Sequence, residues 1–169
     1  MNQALGYSEF KPLLDRFVGD VQQCHGENLL SIVLYGSVAR ETASFNSDVD
    51  LLLVLDKAPK VYWKRLESIT PILMNLRGEK CWKELEEAGI TLEINVLIFS
   101  REEADQNRYL YLDMIEEARI LVDRAGFFRG RLIKFEKRLA KLGAKKIPID
   151  GAWYWDLKPD LKKGETVVL

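Results

Sequence analysis

Apolar residues recur at three- and four-residue steps at Phe10, Leu13, Leu14, Phe17, Val18 and Val21. That period puts them on one helical face and predicts a helix over residues 8–24, closed by Gly26. Pro12 falls in its first turns, where proline is tolerated. The pattern then changes to short β-rich runs. Residues 29–35 are apolar and end at Gly36, and residues 49–55 are apolar and stop at Lys57-Ala58-Pro59. Both read as buried strands. Between them, residues 37–41 look like a helix start and 42–47 like a polar loop. Residues 61–88 are largely helical by pattern, with Pro71 opening or kinking the second half and Gly89 as the cap. Residues 90–99 alternate roughly and predict a third strand. Residues 101–117 predict a helix on which Ser100 and Glu103 form a capping box. A short fourth strand is expected over 118–122, and a helix over 127–142 ended by Gly143.

Helices and strands therefore alternate along the chain, which predicts an α/β domain with a sheet flanked by helices. The pattern weakens after Lys146. Pro148, Gly151, the Trp153-Tyr154-Trp155 run, Pro159 and Gly164 read as an irregular tail. A domain over 1–146 is expected, with 147–169 as an aromatic-rich tail packed on the domain or on a partner.

Composition narrows the function classes. At 169 residues, 47% hydrophobic and 30% charged, the chain suits one globular domain. A net charge of −1 gives no overall pull toward nucleic acid or anionic membrane. Locally, residues 127–146 carry eight basic side chains against Glu136. Such a face binds RNA or an acidic partner, or is simply solvated opposite the Leu132, Phe135, Leu139 and Leu142 stripe. Cys24 and Cys81 stand apart, without metal-site or disulfide spacing, which points to a reducing compartment. The first residues show no signal-peptide pattern and no apolar run is long enough to span a membrane, so a cytoplasmic protein is expected. His25 is the sole histidine, and no serine or aspartate is spaced to make a triad with it.

Chemistry concentrates in Leu34-Tyr35-Gly36-Ser37-Val38-Ala39-Arg40 and Ser47-Asp48-Val49-Asp50-Leu51. Side chains two apart on a strand share a face, with Cα atoms about 6–7 Å apart. Two carboxylates so placed repel unless something compensates, and a hard cation such as Mg²⁺ does so. A glycine at a strand end followed by a serine at a helix start offers backbone N–H groups and a hydroxyl to a phosphate. One strand end thus offers a phosphate cradle and the next a metal clamp, as phosphoryl and nucleotidyl transfer require. Glu93, an acid in an apolar strand, is the candidate third carboxylate or proton acceptor. Arg40 either contacts phosphate or pairs with Glu41 or Asp48, and Ser47 is read as turning the loop.

These residues resemble the nucleotidyltransferase superfamily that includes DNA polymerase beta, in particular its minimal prokaryotic members. The signature reads here as Gly36, Ser37, Ala39, Arg40, Ser47, Asp48, Asp50 and Glu93. It is strongest over residues 30–56. Glu41 stands where the family usually has glycine and puts an acid near the triphosphate path. Glu93 stands where aspartate is commoner. The resemblance implies a mixed sheet flanked by helices and one or two Mg²⁺ ions on Asp48, Asp50 and Glu93. It also implies a nucleoside triphosphate, ATP first, held at Gly36, Ser37 and Arg40. The implied reaction is transfer of NMP to a hydroxyl, with a protein among the acceptors. The alternative is an antitoxin of this fold that masks a helical toxin partner. A homo-oligomer also stays open.

Overall fold

The computed structural model describes residues 4–149, 152–162 and 166–167. Four strands, β1 (Leu29–Tyr35), β2 (Val49–Leu55), β3 (Ile94–Ser100) and β4 (Arg119–Asp123), form one sheet in the order β3-β2-β1-β4. β1 is antiparallel to β2 and β4, and β2 is parallel to β3, so the sheet is mixed. β1 and β2 are its central strands. Both of their faces are covered, and their sequences therefore read as apolar runs interrupted only by Ser31 and Asp50.

Alternate side chains divide between two cores. On one face α1 (Tyr7–His25), α4 (Thr70–Leu76) and α5 (Lys80–Glu87) close over Ile32, Leu34, Leu51 and Leu53. On the other, α7 (Tyr111–Glu117) and α8 (Phe127–Leu142) close over Val33, Leu52 and Val54. Tyr111 meets Phe128 and Phe135 edge-on, with ring centroids 5.5 and 6.0 Å apart. Asp123, at the end of β4, starts α8: its carboxylate accepts from Phe128 N at 2.8 Å and Arg129 N at 3.1 Å. The expected mixed α/β architecture is thus the one observed. No helix among the described residues is long and apolar enough to cross a membrane.

Several boundaries differ from the sequence expectation. The stretch 61–88 breaks into α3 (Tyr62–Leu66), α4 and α5, with Pro71 in the first turn of α4. The helix expected over 101–117 is α6 (Arg101–Ala104) and then α7, since the 105–110 link turns aside. The capping box forms as expected: Ser100 Oγ accepts from Glu103 N at 3.2 Å, and the Glu103 carboxylate from Ser100 N at 2.8 Å. The third strand starts at Ile94 rather than at 90, because Ile90 N still closes α5 on Leu85 O and Thr91 N is tied to Phe45 O. The tail is not irregular. β5 (Lys145–Ile149) and β6 (Ala152–Asp156) pair as an antiparallel hairpin that runs through the expected boundary at 146. Trp155 and Leu157 pack this hairpin against the core beneath α7 and α8. Gly151 and Gly164, cited for the irregular reading, lie outside the described residues.

Two arginines are buried. Arg131, counted above with the basic face of α8, donates to Ala104 O at 3.2 Å and to Asn107 Oδ1. It ties α8 to the end of α6 and is not a free surface charge. Arg65 is 5% exposed and forks onto Glu103 at 2.5 and 3.0 Å while also donating to Pro59 O and Ile98 O. These bonds, more than any other influence, hold the Glu103 carboxyl down to about 2 from 4.5, against the opposing effect of burial. A carboxyl whose folded value is depressed adds stability that is complete above its unfolded value and is lost as pH falls through the folded one. The window here runs from about pH 4.5 down to about 2. Glu103→Gln is expected to flatten stability across that window. It should also cost roughly 2 kcal/mol near neutral pH, because the buried guanidinium keeps a poorer partner. Urea unfolding of both proteins from neutral to acid pH measures the two effects together.

Candidate functional site

The register between the two central strands builds the site. Tyr35, the last residue of β1, lies opposite Asp50 of β2. The chain then turns at Gly36, with φ of 75°, into α2 (Gly36–Ala39). A Cβ added at Gly36 would run into Asp50 Oδ2. Only glycine takes this conformation without strain and leaves room for the carboxylate. Gly36 therefore stands against Asp50, and Ser37 follows it as the second residue of α2.

Asp48 precedes β2 and Asp50 is its second residue, in alternation with the buried Leu52 and Val54. Both carboxylates are half-buried and meet one partner. Asn95 of β3, in register with Asp50, donates from Nδ2 to Asp48 Oδ2 at 3.1 Å and to Asp50 Oδ1 at 3.3 Å. Burial raises the Asp50 carboxyl above its ordinary range. The Asn95 hydrogen bond opposes this, Asp48 adds to it, and the Arg40 charge opposes it. The Tyr35 hydroxyl is also raised, by burial first and then by Asp50.

Glu93 does not join the pair. It lies just before β3, exposed, and its carbonyl accepts from Val49 N at 2.8 Å. Among the described residues no three of His, Cys, Asp and Glu come together as a metal-sized cluster. The expected three-carboxylate group is thus replaced by two carboxylates and the amide of Asn95, which sequence reading missed. The only signal was a polar residue in an apolar run two positions after Glu93, and the strand register alone gives it meaning.

Arg40 follows α2. Its guanidinium lies 3.4 Å from Glu117 rather than against Glu41 or Asp48, and 5.7 Å from the Trp153 ring centre. Lys146 shares both partners, at 3.2 Å from Glu117 and 4.3 Å from the Trp153 ring. The β5–β6 hairpin thus reaches back to the site's edge. Glu41 adopts φ of 63°, the left-handed conformation that suits a glycine at that position. Its carboxylate turns onto Arg119 at 2.5 Å, so the acid expected on the triphosphate path is neutralised. Ser47 Oγ accepts from Ser44 N at 2.9 Å and turns the loop into Asp48, as read from the sequence.

Two clefts share residues with this arrangement. One of about 730 Å³ is lined by Arg40, Thr42, Glu117, Arg119 and Trp153. The other, about 450 Å³, is lined by Tyr35, Thr70, Leu73, Asn95 and Leu97. Two hard carboxylates under a glycine turn suit a divalent cation bound to phosphate oxygens. Gly36→Ala is expected to cost roughly 1–3 kcal/mol through its positive φ and to displace Asp50. Thermal unfolding reads the first effect, and the chemical shift of the Asn95 side-chain amide, which donates to Asp50, reads the second.

A model of the nucleotidyltransferase domain matches residues 14–150. The "Putative protein adenylyltransferase MJ1305" of Methanocaldococcus jannaschii is 48% identical over 48 residues, a match spanning 28% of this chain and 33% of that protein. Among solved structures, a toxin–antitoxin MntA-HepT complex aligns at 12% identity and a TM-score of 0.48, over 78% of this chain and 88% of that one. A tri-AMPylated HEPN toxin of Shewanella oneidensis with its MNT antitoxin aligns at 9% identity and a TM-score of 0.41, over 79% of this chain and 92% of that one. Both scores are below 0.5, and the assignment rests on the sequence match. The chain belongs to the nucleotidyltransferase domain family.

Proposed function

We propose that the chain transfers a nucleoside monophosphate, AMP from ATP in the first instance, to a hydroxyl group, with Mg²⁺ held by Asp48 and Asp50. The closeness of Gly36 to Asp50, where an added Cβ would clash, supports this reading, because it would set a phosphate cradle beside the acid pair. In this reading Gly36 and Ser37 hold the β- and γ-phosphates, and Arg40, already within the field of Asp50, steadies their charge. Glu93, exposed two residues before Asn95, is left to accept the proton of the attacking hydroxyl. A bound Mg²⁺ would offset the charge that grows on the departing pyrophosphate. AMP and a protein acceptor take support from the name of the Methanocaldococcus jannaschii relative, which this chain matches over a third of its length.

A second reading is a binding protein that covers a helical partner with little chemistry of its own. Its support is the exposed apolar set Tyr62, Trp63 and Met74 on α3 and α4, the last two 58% and 64% exposed. Exposed apolar side chains that join into a patch mark contact surfaces.

Calorimetric titration of ATP with and without Mg²⁺, into the native chain and the Asp48→Asn, Asp50→Asn variant, separates these readings. Mg²⁺-dependent binding that the variant loses, followed by transfer of label from α-labelled ATP to a protein, is the expected result. No binding of any nucleoside triphosphate would sink the transferase and leave the covering function.

A further inference from the structure

The amide that bridges the acid pair borders the space that a cation shared by those acids would take. Asn95 Nδ2 is 3.1 Å from Asp48 Oδ2 and 3.3 Å from Asp50 Oδ1. An amide has two faces, an NH₂ group with two donors and a carbonyl oxygen that only accepts. Against two carboxylates only the NH₂ face is attractive. It spreads partial positive charge between oxygens that would otherwise repel. A cation between the same oxygens reverses the preference, since NH₂ protons repel it and the amide oxygen is one of the hard ligands such cations take. Turning the amide over is a rotation about a terminal sp³–sp² torsion, which is broad and close to two-fold. Asn95 is exposed, so no packing opposes the turn. Its backbone stays fixed meanwhile, because β3 is paired with β2 along its full length from Val49↔Ile94 to Leu55↔Ser100.

We infer that Asn95 is the third metal-site residue of this chain and works as a two-faced ligand. Without metal its NH₂ group clamps Asp48 to Asp50. With metal its Oδ1 joins them as a neutral ligand. The inference rests on the nucleotidyltransferase reading of the acid pair and extends it. The site then holds one less negative charge than three carboxylates would give, which sets a weaker resting affinity for the ion. Tight binding is left to the moment when nucleotide phosphates add their own oxygens.

The test is Mn²⁺ titration without nucleotide, followed by the electron paramagnetic resonance signal of the free ion, together with melting of each protein in EDTA. The proteins are the native chain, Asn95→Leu and Asn95→Asp. Both variants are expected to melt below the native chain in EDTA, one having lost the clamp and the other having added a third repelling charge. Their Mn²⁺ affinities are expected to move in opposite directions, roughly tenfold weaker for Leu and roughly tenfold tighter for Asp. Asn95→Leu binding Mn²⁺ as well as or better than the native chain would overturn the inference, because the amide would then only compete with the metal. Should the Leu variant not fold, Asn95→Asp decides: an affinity equal to the native value means position 95 does not reach the ion. A native chain that takes up no Mn²⁺ overturns the reading of Asp48 and Asp50 themselves, which sets that failure apart from the failure of Asn95 alone.

Discussion

The site depends on a glycine backbone set against a carboxylate: at Gly36 an added Cβ would run into Asp50. It follows from the pairing of Tyr35 with Asp50 across the two central strands and from the left-handed turn that comes next. Any side chain at position 36 would part the glycine turn from the acid pair. The covered strands behind it fix this geometry. Leu51, Leu52, Leu53 and Val54 are fully buried, so β2 cannot slide to relieve a clash at its exposed end. A one-residue slip would send those leucines and both aspartates to the wrong faces.

Charge around the acid pair is arranged in steps. Burial penalises the ionised Asp50, while the Asn95 amide and the Arg40 charge favour it. Arg40 in turn is held by Glu117, which also holds Lys146, and Trp153 faces both cations. The hairpin expected to be a mere tail therefore supports an arginine at the edge of the site. Glu41 is removed from the same surroundings by Arg119, which itself lies 4.8 Å from the Tyr7 ring centre. Glu41 and Glu117 thus each have a basic partner. The Asp48–Asp50 pair has the Asn95 amide as its hydrogen-bond partner instead.

Periodicity and spacing carried much of this protein on their own. Leu29–Tyr35 and Val49–Leu55 were legible as buried strands because both faces of each are apolar, and Phe127–Leu142 as a helix because its stripe and its Gly143 cap agree. Gly36, Asp48 and Asp50 were legible because a local chain rule fixes them: residues two apart share a strand face, and a glycine ends a strand where the backbone must turn sharply. Where the signals were local but competing, the sequence misled. The run 90–99 looked like one strand, yet its first residues are spent closing α5 and pairing with the loop at Phe45.

What the sequence could not decide was which residue faces the acid pair from the neighbouring strand. Glu93 and Asn95 have the same parity, and chemistry alone favoured the acid. The parallel register of β2 with β3 put Asn95 opposite Asp50 and left Glu93 outside the strand. Similarly, nothing local linked Glu41 to Arg119 or Arg40 to Glu117, 78 and 77 residues away. Contacts at that separation depend on how sheet and helices pack as a whole. The spacing of residues along the chain gave the elements and the acid pair, and the partners of those residues came only from strand register and helix packing.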